Sequence, residues 1–258
     1  HQAMASSSLD FVGNQDNNDV LNSHEFSSNV RVLVDENPKC VCMYVPNALD
    51  DDVASTLLEK LGACKGPGDV ENSTALGSLW HQYTDDNGPQ DRLAAYWGDT
   101  CCDFWFVGLL LHPAPWPANL PELLSARRAA QQAAEYCQRR YGGKLDATKL
   151  TSCLANYYRR GQGHIDAHGD EVRAHGEDKY VISISLGGPR EFVLTERGGS
   201  QREMRLQLEH GSALVMRGED MQTAWKHALP LEGNDAPARV GLTFRSIVPG
   251  YEHFVKKL

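Results

Sequence analysis

The sequence predicts an α+β fold in which helices come first and a double β-sheet of the sandwich or jelly-roll kind follows. Apolar residues recur at helical spacing in two early segments, 53–61 and 120–141. From residue 149 onward, short strand-like segments are separated by turn residues, and no helical pattern lies between them. Such a run of strands favours an antiparallel double sheet. A length of 258 residues suits a single core, so one domain is expected over 30–258.

The first 29 residues have few apolar anchors. The opening HQAMA is interpreted as a cloning remnant, and the Ser-, Asn- and Asp-rich stretch after it is expected to be disordered. The next segment, KCVCMYV at 39–45, has the apolar run of a strand. An Asp-rich stretch then suits the start of the first helix, and Gly142 and Gly143 are expected to end the second.

Residues 64–112 are rich in glycine and proline, contain the acidic turn TDDNGPQD and end in aromatic segments. This composition is typical of a loop or hairpin region that covers a site, so a lid is predicted there. Residues 149–248 are predicted to form the jelly-roll core. Within that core, apolar residues alternate along 180–186, which predicts a strand with one core-facing side.

Composition narrows the classes of protein that fit. A net charge of -9 argues against a broadly basic nucleic-acid clamp. Seven cysteines without metal-finger spacing indicate reduced thiols, as in the nucleus or cytoplasm. The longest apolar run, at 104–111, is well short of the ~20 residues needed to cross a bilayer, so no membrane partner is expected. Nothing in the sequence demands an oligomer, and a monomer is expected.

The pair His168 and Asp170 is the first sign of chemistry. Side chains two residues apart point to one face of an extended segment. With His227 they would supply two histidines and one carboxylate, the set that non-haem Fe(II) oxygenases use while leaving other metal positions open. A second pair, His164 and Asp166, has the same spacing. Local sequence does not decide between the two pairs.

Two arginines point to an anionic ligand beside this metal. Arg239, Thr243 and Arg245 are separated by even numbers within one predicted strand, so they share a face. Two guanidinium groups inside a sheet-lined cavity would be costly without anions. A dicarboxylate such as 2-oxoglutarate supplies two, each suited to a guanidinium fork. Asn156 and Tyr158 also share a face and would add an amide and a phenol donor.

The ordered set N-x-Y, H-x-D after nine residues, a distant W-x-H and R-x5-R resembles the AlkB family of Fe(II)- and 2-oxoglutarate-dependent dioxygenases. The likeness continues through RLAAYWGD, GLLLHPAPWP, YVISISLGGPREFVL, LEHGSALVM and VGLTFR, over about residues 90–248. It is nearest to the branch of AlkB homologues 2 and 3, which repairs alkylated DNA. The resemblance implies a double-stranded β-helix, or jelly roll, with N-terminal helices packed on one sheet.

The resemblance also assigns roles to residues. The twelve-residue offset from Asn156 selects His168 and Asp170, with His227, as the Fe(II) ligands and catalytic centre, and it makes His164 and Asp166 structural. The implied contacts to 2-oxoglutarate, with one arginine for each carboxylate end, are Asn156, Tyr158, Arg239, Thr243 and Arg245.

The activity implied by the resemblance is oxidation of a methyl group on a base nitrogen in DNA or RNA. It consumes O2 and 2-oxoglutarate and releases formaldehyde, and it requires an unpaired or flipped base. The expected substrate contacts are Phe104, Phe106, Glu171, Arg92 and Trp80. Phe106 matches the stacking position, although a core role is the alternative. Phe104 replaces a tyrosine of that branch, so the pocket loses a hydroxyl donor, and Trp80 would serve as wedge.

Other functions fit parts of the pattern. The acidic charge and the altered lid motivate a hydroxylase of another target, such as 5-methylcytosine, a protein side chain or a small molecule. A binding module without turnover would keep the sheet, but the complete ligand set argues against it. A zinc hydrolase could share the three metal ligands, yet it leaves the arginine pair unexplained.

Overall fold

The chain folds into a mostly β structure with few helices. A computed structural model describes residues 29–62, 79–85, 88–106, 108–144, 149–199 and 202–251. The predicted disordered tail therefore lies almost wholly outside the described residues. The strands are β1 (Arg31–Asn37), β2 (Cys40–Val45), β3 (His81–Asp85), β4 (Gly88–Gly98), β5 (Phe104–Phe106), β6 (Leu109–Leu111), β7 (Ser152–Tyr158), β8 (Ile165–His168), β9 (Val181–Gly187), β10 (Arg190–Glu196), β11 (Glu203–Leu208), β12 (Ala213–Arg217), β13 (Trp225–Leu229) and β14 (Arg239–Arg245).

Both helices expected from apolar spacing are present as α1 (Asp51–Lys60) and α2 (Pro121–Tyr141). The side chain of Asp50 caps α1 by accepting hydrogen bonds from the next helical N–H groups. Gly142 ends α2 in the left-handed region, at φ 76°. A short helix, α3 (Glu219–Thr223), precedes β13 and carries no pattern that predicts it. No helix among these residues is both long and apolar enough to cross a membrane.

The strands form two main antiparallel sheets, as a jelly-roll fold requires. The large sheet has the order β1-β2-β12-β9-β14-β7-β4-β3, and the small one has the order β11-β10-β13-β8. The hairpin β5-β6 stands apart from both. The large sheet therefore extends beyond the predicted core range 149–248, because β1 to β4 add to its two edges. β4 belongs to the predicted lid range, yet its residues 93–98 are buried in this sheet.

Two buried clusters lie on opposite faces of the large sheet. One joins sheet residues such as Ile182 and Ile184 to Leu57 of α1 and Leu123 of α2. The other fills the space between the two sheets and includes Val181. The prediction of one core-facing side for β9 was therefore incomplete. Its second face is buried too, because the small sheet covers it.

Candidate active site

Strand pairing brings two histidines together. β8 and β13 are antiparallel neighbours, and His168 lies directly opposite His227. Their ring centroids are 4.3 Å apart. β8 ends at His168, so the chain turns away after it and carries Asp170 back towards both rings.

Asp170 completes the cluster that the sequence predicted. Its Oδ1 lies 3.6 Å from Nε2 of His168 and 3.8 Å from Nε2 of His227. The three candidate ligand atoms all lie within 4.8 Å of one another. In the part of the chain that the structure describes, this is the one group of three or more such residues able to hold a metal ion. Two imidazoles and one carboxylate fit Fe(II).

The side chains of the rival pair, His164 and Asp166, make other contacts. Nδ1 of His164 is 3.0 Å from a carboxylate oxygen of Asp91, and its Nε2 is 3.7 Å from Asp166. The Asp166 side chain is 95% exposed, whereas that of Asp170 is 10% exposed. His164 and Asp166 are therefore not part of the cluster. The register of β8 against β13 makes the choice that local sequence left open.

Electrostatics hold Asp170 and His227 in the forms that a metal requires, whereas the contact with Asp170 outweighs burial and raises the pKa of His168. Burial would raise the pKa of Asp170, but Arg245 and the two imidazoles outweigh it and hold the pKa well below its usual range. Nη2 of Arg245 donates to Oδ2 of Asp170 at 2.8 Å. Burial lowers the pKa of His227 to about 4, against the pull of Asp170. Near neutral pH, Asp170 is a carboxylate and His227 a neutral ligand.

The same cavity, of about 390 Å³, is lined by the residues predicted to hold 2-oxoglutarate. β7 and β14 are neighbours, with Tyr158 opposite Arg239. All five side chains therefore reach the cavity from one face of the large sheet: Asn156, Tyr158, Arg239, Thr243 and Arg245.

Arg239 is the buried cation that most clearly calls for an anion. It is 2% exposed, and its Nη2 donates to Oγ of Ser185 at 2.9 Å. Its Nε has no hydrogen-bond partner, and no carboxylate of the described residues forms an ion pair with it. Burial lowers its pKa to about 10, so it stays protonated at neutral pH. A ligand carboxylate fits this orphaned donor.

Arg245 does not stand free for a second carboxylate. It is already bound to Asp170, and its Cζ lies 5.1 Å from the centroid of the Phe104 ring. The assignment of one arginine to each end of 2-oxoglutarate stays a prediction. Arg245 supports the carboxylate of Asp170.

Four of the five predicted substrate residues line the cavity, namely Arg92, Phe104, Phe106 and Glu171. Nε of Arg92 donates to Oδ1 of Asn156 at 3.2 Å, and its Cζ lies 5.7 Å from the Phe106 ring. Trp80 lies apart from them. Its ring packs 5.5 Å from that of Tyr157, and its indole N–H donates to the carbonyl of Leu61 at 3.1 Å.

Glu171 is held by Arg173, a contact that was not predicted from the sequence. Nε of Arg173 donates to Oε1 at 2.8 Å, and Nη2 donates to Oε2 at 2.5 Å. The backbone N–H of Arg173 adds a bond to Oε1 at 2.9 Å. These bonds lower the pKa of Glu171 despite partial burial. Both carboxylate oxygens are thus engaged at the rim of the cavity.

His175 was also missed, because an isolated histidine carries no signal in the sequence. It is 1% exposed, and neither ring nitrogen has a hydrogen-bond partner among the residues described. Burial, reinforced by the charge of Arg245, lowers its pKa to about 3. The ring is therefore held neutral in the folded protein.

This burial predicts a pH-dependent stability. An unfolded histidine titrates near 6.5, so between pH 6.5 and 4 the unfolded chain binds a proton that folded His175 does not. The free energy of unfolding therefore falls as the pH drops through this window, by up to about 1.4 kcal/mol per unit for each such group. His227 acts in the same direction.

Urea unfolding of the metal-free protein between pH 7.5 and 4.5 measures this loss. The His175→Leu variant is expected to lose less stability across the window than the wild type. An equal loss in both proteins would show that His175 does not contribute.

The geometry defines a class of protein. A double antiparallel sheet that presents two histidines and an aspartate beside a buried, unpaired arginine is a non-haem Fe(II) oxygenase site with room for an acidic co-substrate. Residues 109–245 match the family model of the 2OG-Fe(II) oxygenase superfamily, and the chain belongs to that superfamily. This membership confirms the predicted Fe(II), 2-oxoglutarate and O2.

Curated relatives confirm the predicted likeness to AlkB. The chain is 32% identical over 165 residues to "DNA oxidative demethylase ALKBH2" of Bos taurus, covering 61% of this chain and 54% of that protein. It is 27% identical over 218 residues to "Alpha-ketoglutarate-dependent dioxygenase alkB homolog 3" of Mus musculus, covering 81% and 66%. The chain thus spans about half to two thirds of the length of these relatives.

A solved structure supports the fold. The chain matches "The structure of OsALKBH1" with a TM-score of 0.54 and 16% identity, over 84% of this chain and 100% of that one. At this identity the match bears on architecture alone.

Proposed function

We propose that this protein is an oxidative demethylase of N-alkylated bases in nucleic acid. The observation that carries the proposal is a single cavity that joins the His168, Asp170 and His227 cluster to buried Arg239 and to two phenylalanines. The relatives named as DNA oxidative demethylases support the same activity. We further propose a monomer in the nucleus or cytoplasm.

Bound Fe(II) and 2-oxoglutarate would supply the oxidising power, drawn from O2 with loss of CO2 from the acid. The chain's own residues do the rest. His168, Asp170 and His227 would hold the metal, which would activate O2. Arg239 binds a carboxylate of the acid, and Tyr158 lies against its guanidinium, with Cζ 5.6 Å from the ring centroid.

The base-binding part of the cavity is aromatic. Phe104 and Phe106 come from β5, and Arg92 lies beside the Phe106 ring. A flipped base can stack on such a surface. Of the predicted recognition lid at 64–112, the hairpin β5-β6 is proposed to cover the base, because Phe104 and Phe106 line the cavity, whereas 63–78, 86–87 and 107 lie outside the described residues. Trp80 is the weakest member of the proposed substrate set, because it packs on Tyr157.

The Glu171 contact to a base would have to displace Arg173. Bases methylated on a ring nitrogen used for pairing can carry positive charge, which a free carboxylate would attract. Here Arg173 already neutralises that carboxylate. The exposed pair contributes little stability, so a cationic base can compete for Glu171.

Formaldehyde release tests the proposal. Protein supplied with Fe(II), 2-oxoglutarate and O2 is incubated with single- and double-stranded DNA and RNA oligonucleotides containing 1-methyladenine or 3-methylcytosine. We expect formaldehyde in equal amount to the methyl groups lost, and none from unmethylated strands. Succinate production without loss of methyl groups from any strand would contradict a base demethylase.

A hydroxylase of another target is the second candidate. Phe104 lacks a hydroxyl and both carboxylate oxygens of Glu171 are engaged, so neither residue offers a free polar group to a base edge. A methyl group on carbon, as in 5-methylcytosine, yields a stable hydroxymethyl product instead of formaldehyde. Mass spectrometry of reacted DNA, protein or small molecules for a stable gain of one oxygen distinguishes this candidate.

A further inference from the structure

Gln222 contacts the metal site without being a ligand. It lies in α3, five residues before His227, and is 3% exposed. Its Oε1 accepts a hydrogen bond from the backbone N–H of Asp170 at 2.9 Å. Its Nε2 donates to the sulfur of Met216 at 3.7 Å. Both ends of the buried amide are therefore engaged, as burial of a polar group requires.

The backbone of the same residue packs against the loop that carries Asp170. A Cβ added at Gly169 would lie 2.1 Å from the carbonyl oxygen of Gln222. Only glycine allows this approach. The α3 helix and the His168-Gly169-Asp170 turn are thus locked by a side-chain bond and by close backbone packing.

Asp170 needs such support because it lies outside the sheet. β8 ends at His168, and the pairing of β8 with β13 does not extend to Asp170. Its carboxylate is bound by Arg245 at 2.8 Å, but that contact leaves the backbone free to move. The hydrogen bond from the backbone N–H of Asp170 to Gln222 holds the backbone of Asp170 in place.

We infer that Gln222 is a positioning residue for the metal ligand Asp170. The segment 222–227 would then do two things: it carries one ligand, His227, and it orients another. The inference concerns metal binding and does not depend on which substrate is oxidised.

The test is Mn(II) affinity of the metal-free protein, measured from free Mn(II) by electron paramagnetic resonance. Gln222→Met keeps length and apolar bulk but removes the acceptor oxygen. Residues that orient metal ligands typically change affinity 10- to 100-fold when they are replaced. We expect a rise of about 10- to 100-fold in the dissociation constant of Mn(II), with little change in 2-oxoglutarate binding at saturating Mn(II).

Two further variants keep the result interpretable. Gln222→Asn keeps the amide but is too short to reach Asp170, so it is expected to weaken Mn(II) binding as well. It replaces Gln222→Met as the test variant if that protein does not fold. Gln207→Met places the same change at an exposed glutamine of β11 and is expected to bind Mn(II) like the wild type. Circular dichroism establishes that each variant is folded. Wild-type Mn(II) affinity in a folded Gln222 variant, or an equal loss in Gln207→Met, would overturn the inference.

Discussion

Replacing Asp170 by alanine is expected to weaken Mn(II) binding more than about 100-fold and to abolish 2-oxoglutarate turnover. Asp170 is the only anionic residue among the three candidate metal ligands. Its loss removes the negative charge that offsets the charge of the metal ion. The change also leaves the guanidinium of Arg245 without its carboxylate partner. The unpaired guanidinium of Arg245 would repel the metal ion and so further weaken its binding.

Asp166→Ala is the matched control for this prediction. It makes the same change four residues away in the competing His-x-Asp pair, at a side chain that is 95% exposed. We expect it to bind Mn(II) and to turn over 2-oxoglutarate like the wild type. If Asp166→Ala lost metal and Asp170→Ala kept it, the assignment of the ligand pair would be wrong.

The second large effect is expected at Arg239. Replacing it by methionine removes the buried cation and its free donor but keeps an unbranched apolar side chain at the position. Hydrogen bonds to charged groups are worth about 1.5–3 kcal/mol each, so losing a bidentate pair should raise the dissociation constant of 2-oxoglutarate by about 100-fold or more. Isothermal titration calorimetry on Mn(II)-loaded protein measures it.

Mn(II) affinity should hardly change in Arg239→Met, because Arg239 makes no contact with the metal ligands. Arg205→Met is the matched control, since Arg205 is 54% exposed on β11 and binds only surface carboxylates. It should leave both affinities unchanged. Undiminished 2-oxoglutarate binding by a folded Arg239→Met protein would contradict the proposed anion site.

Local spacing was enough to predict which side chains share a face of a strand. Strand side chains alternate, so even separations placed Asn156 with Tyr158 and Arg239 with Arg245, and all four line one cavity. The two long helices and the strands β2, β7, β9 to β12 and β14 were likewise predictable from their apolar pattern, whereas α3 and several other strands were not. These features depend on residues close in sequence, where the backbone geometry is fixed.

What could not be predicted depends on contacts between distant segments. Local sequence left the choice between His168 and His164 open, and only the resemblance to AlkB made it. In the structure the choice follows from the register of β8 against β13. Gln222 is 52 positions from the backbone group it binds, and nothing in its neighbourhood signals that bond. The wedge role of Trp80, which came from the resemblance, stays a prediction; its ring packs on Tyr157.

The most direct test of the central claim is calorimetric titration of 2-oxoglutarate into the wild-type protein with and without Mn(II). If one cavity holds a metal on His168, Asp170 and His227 and the acid on Arg239, binding should be one acid per chain and much tighter with Mn(II). Equal affinity with and without the metal, or no binding in either case, would contradict the shared site.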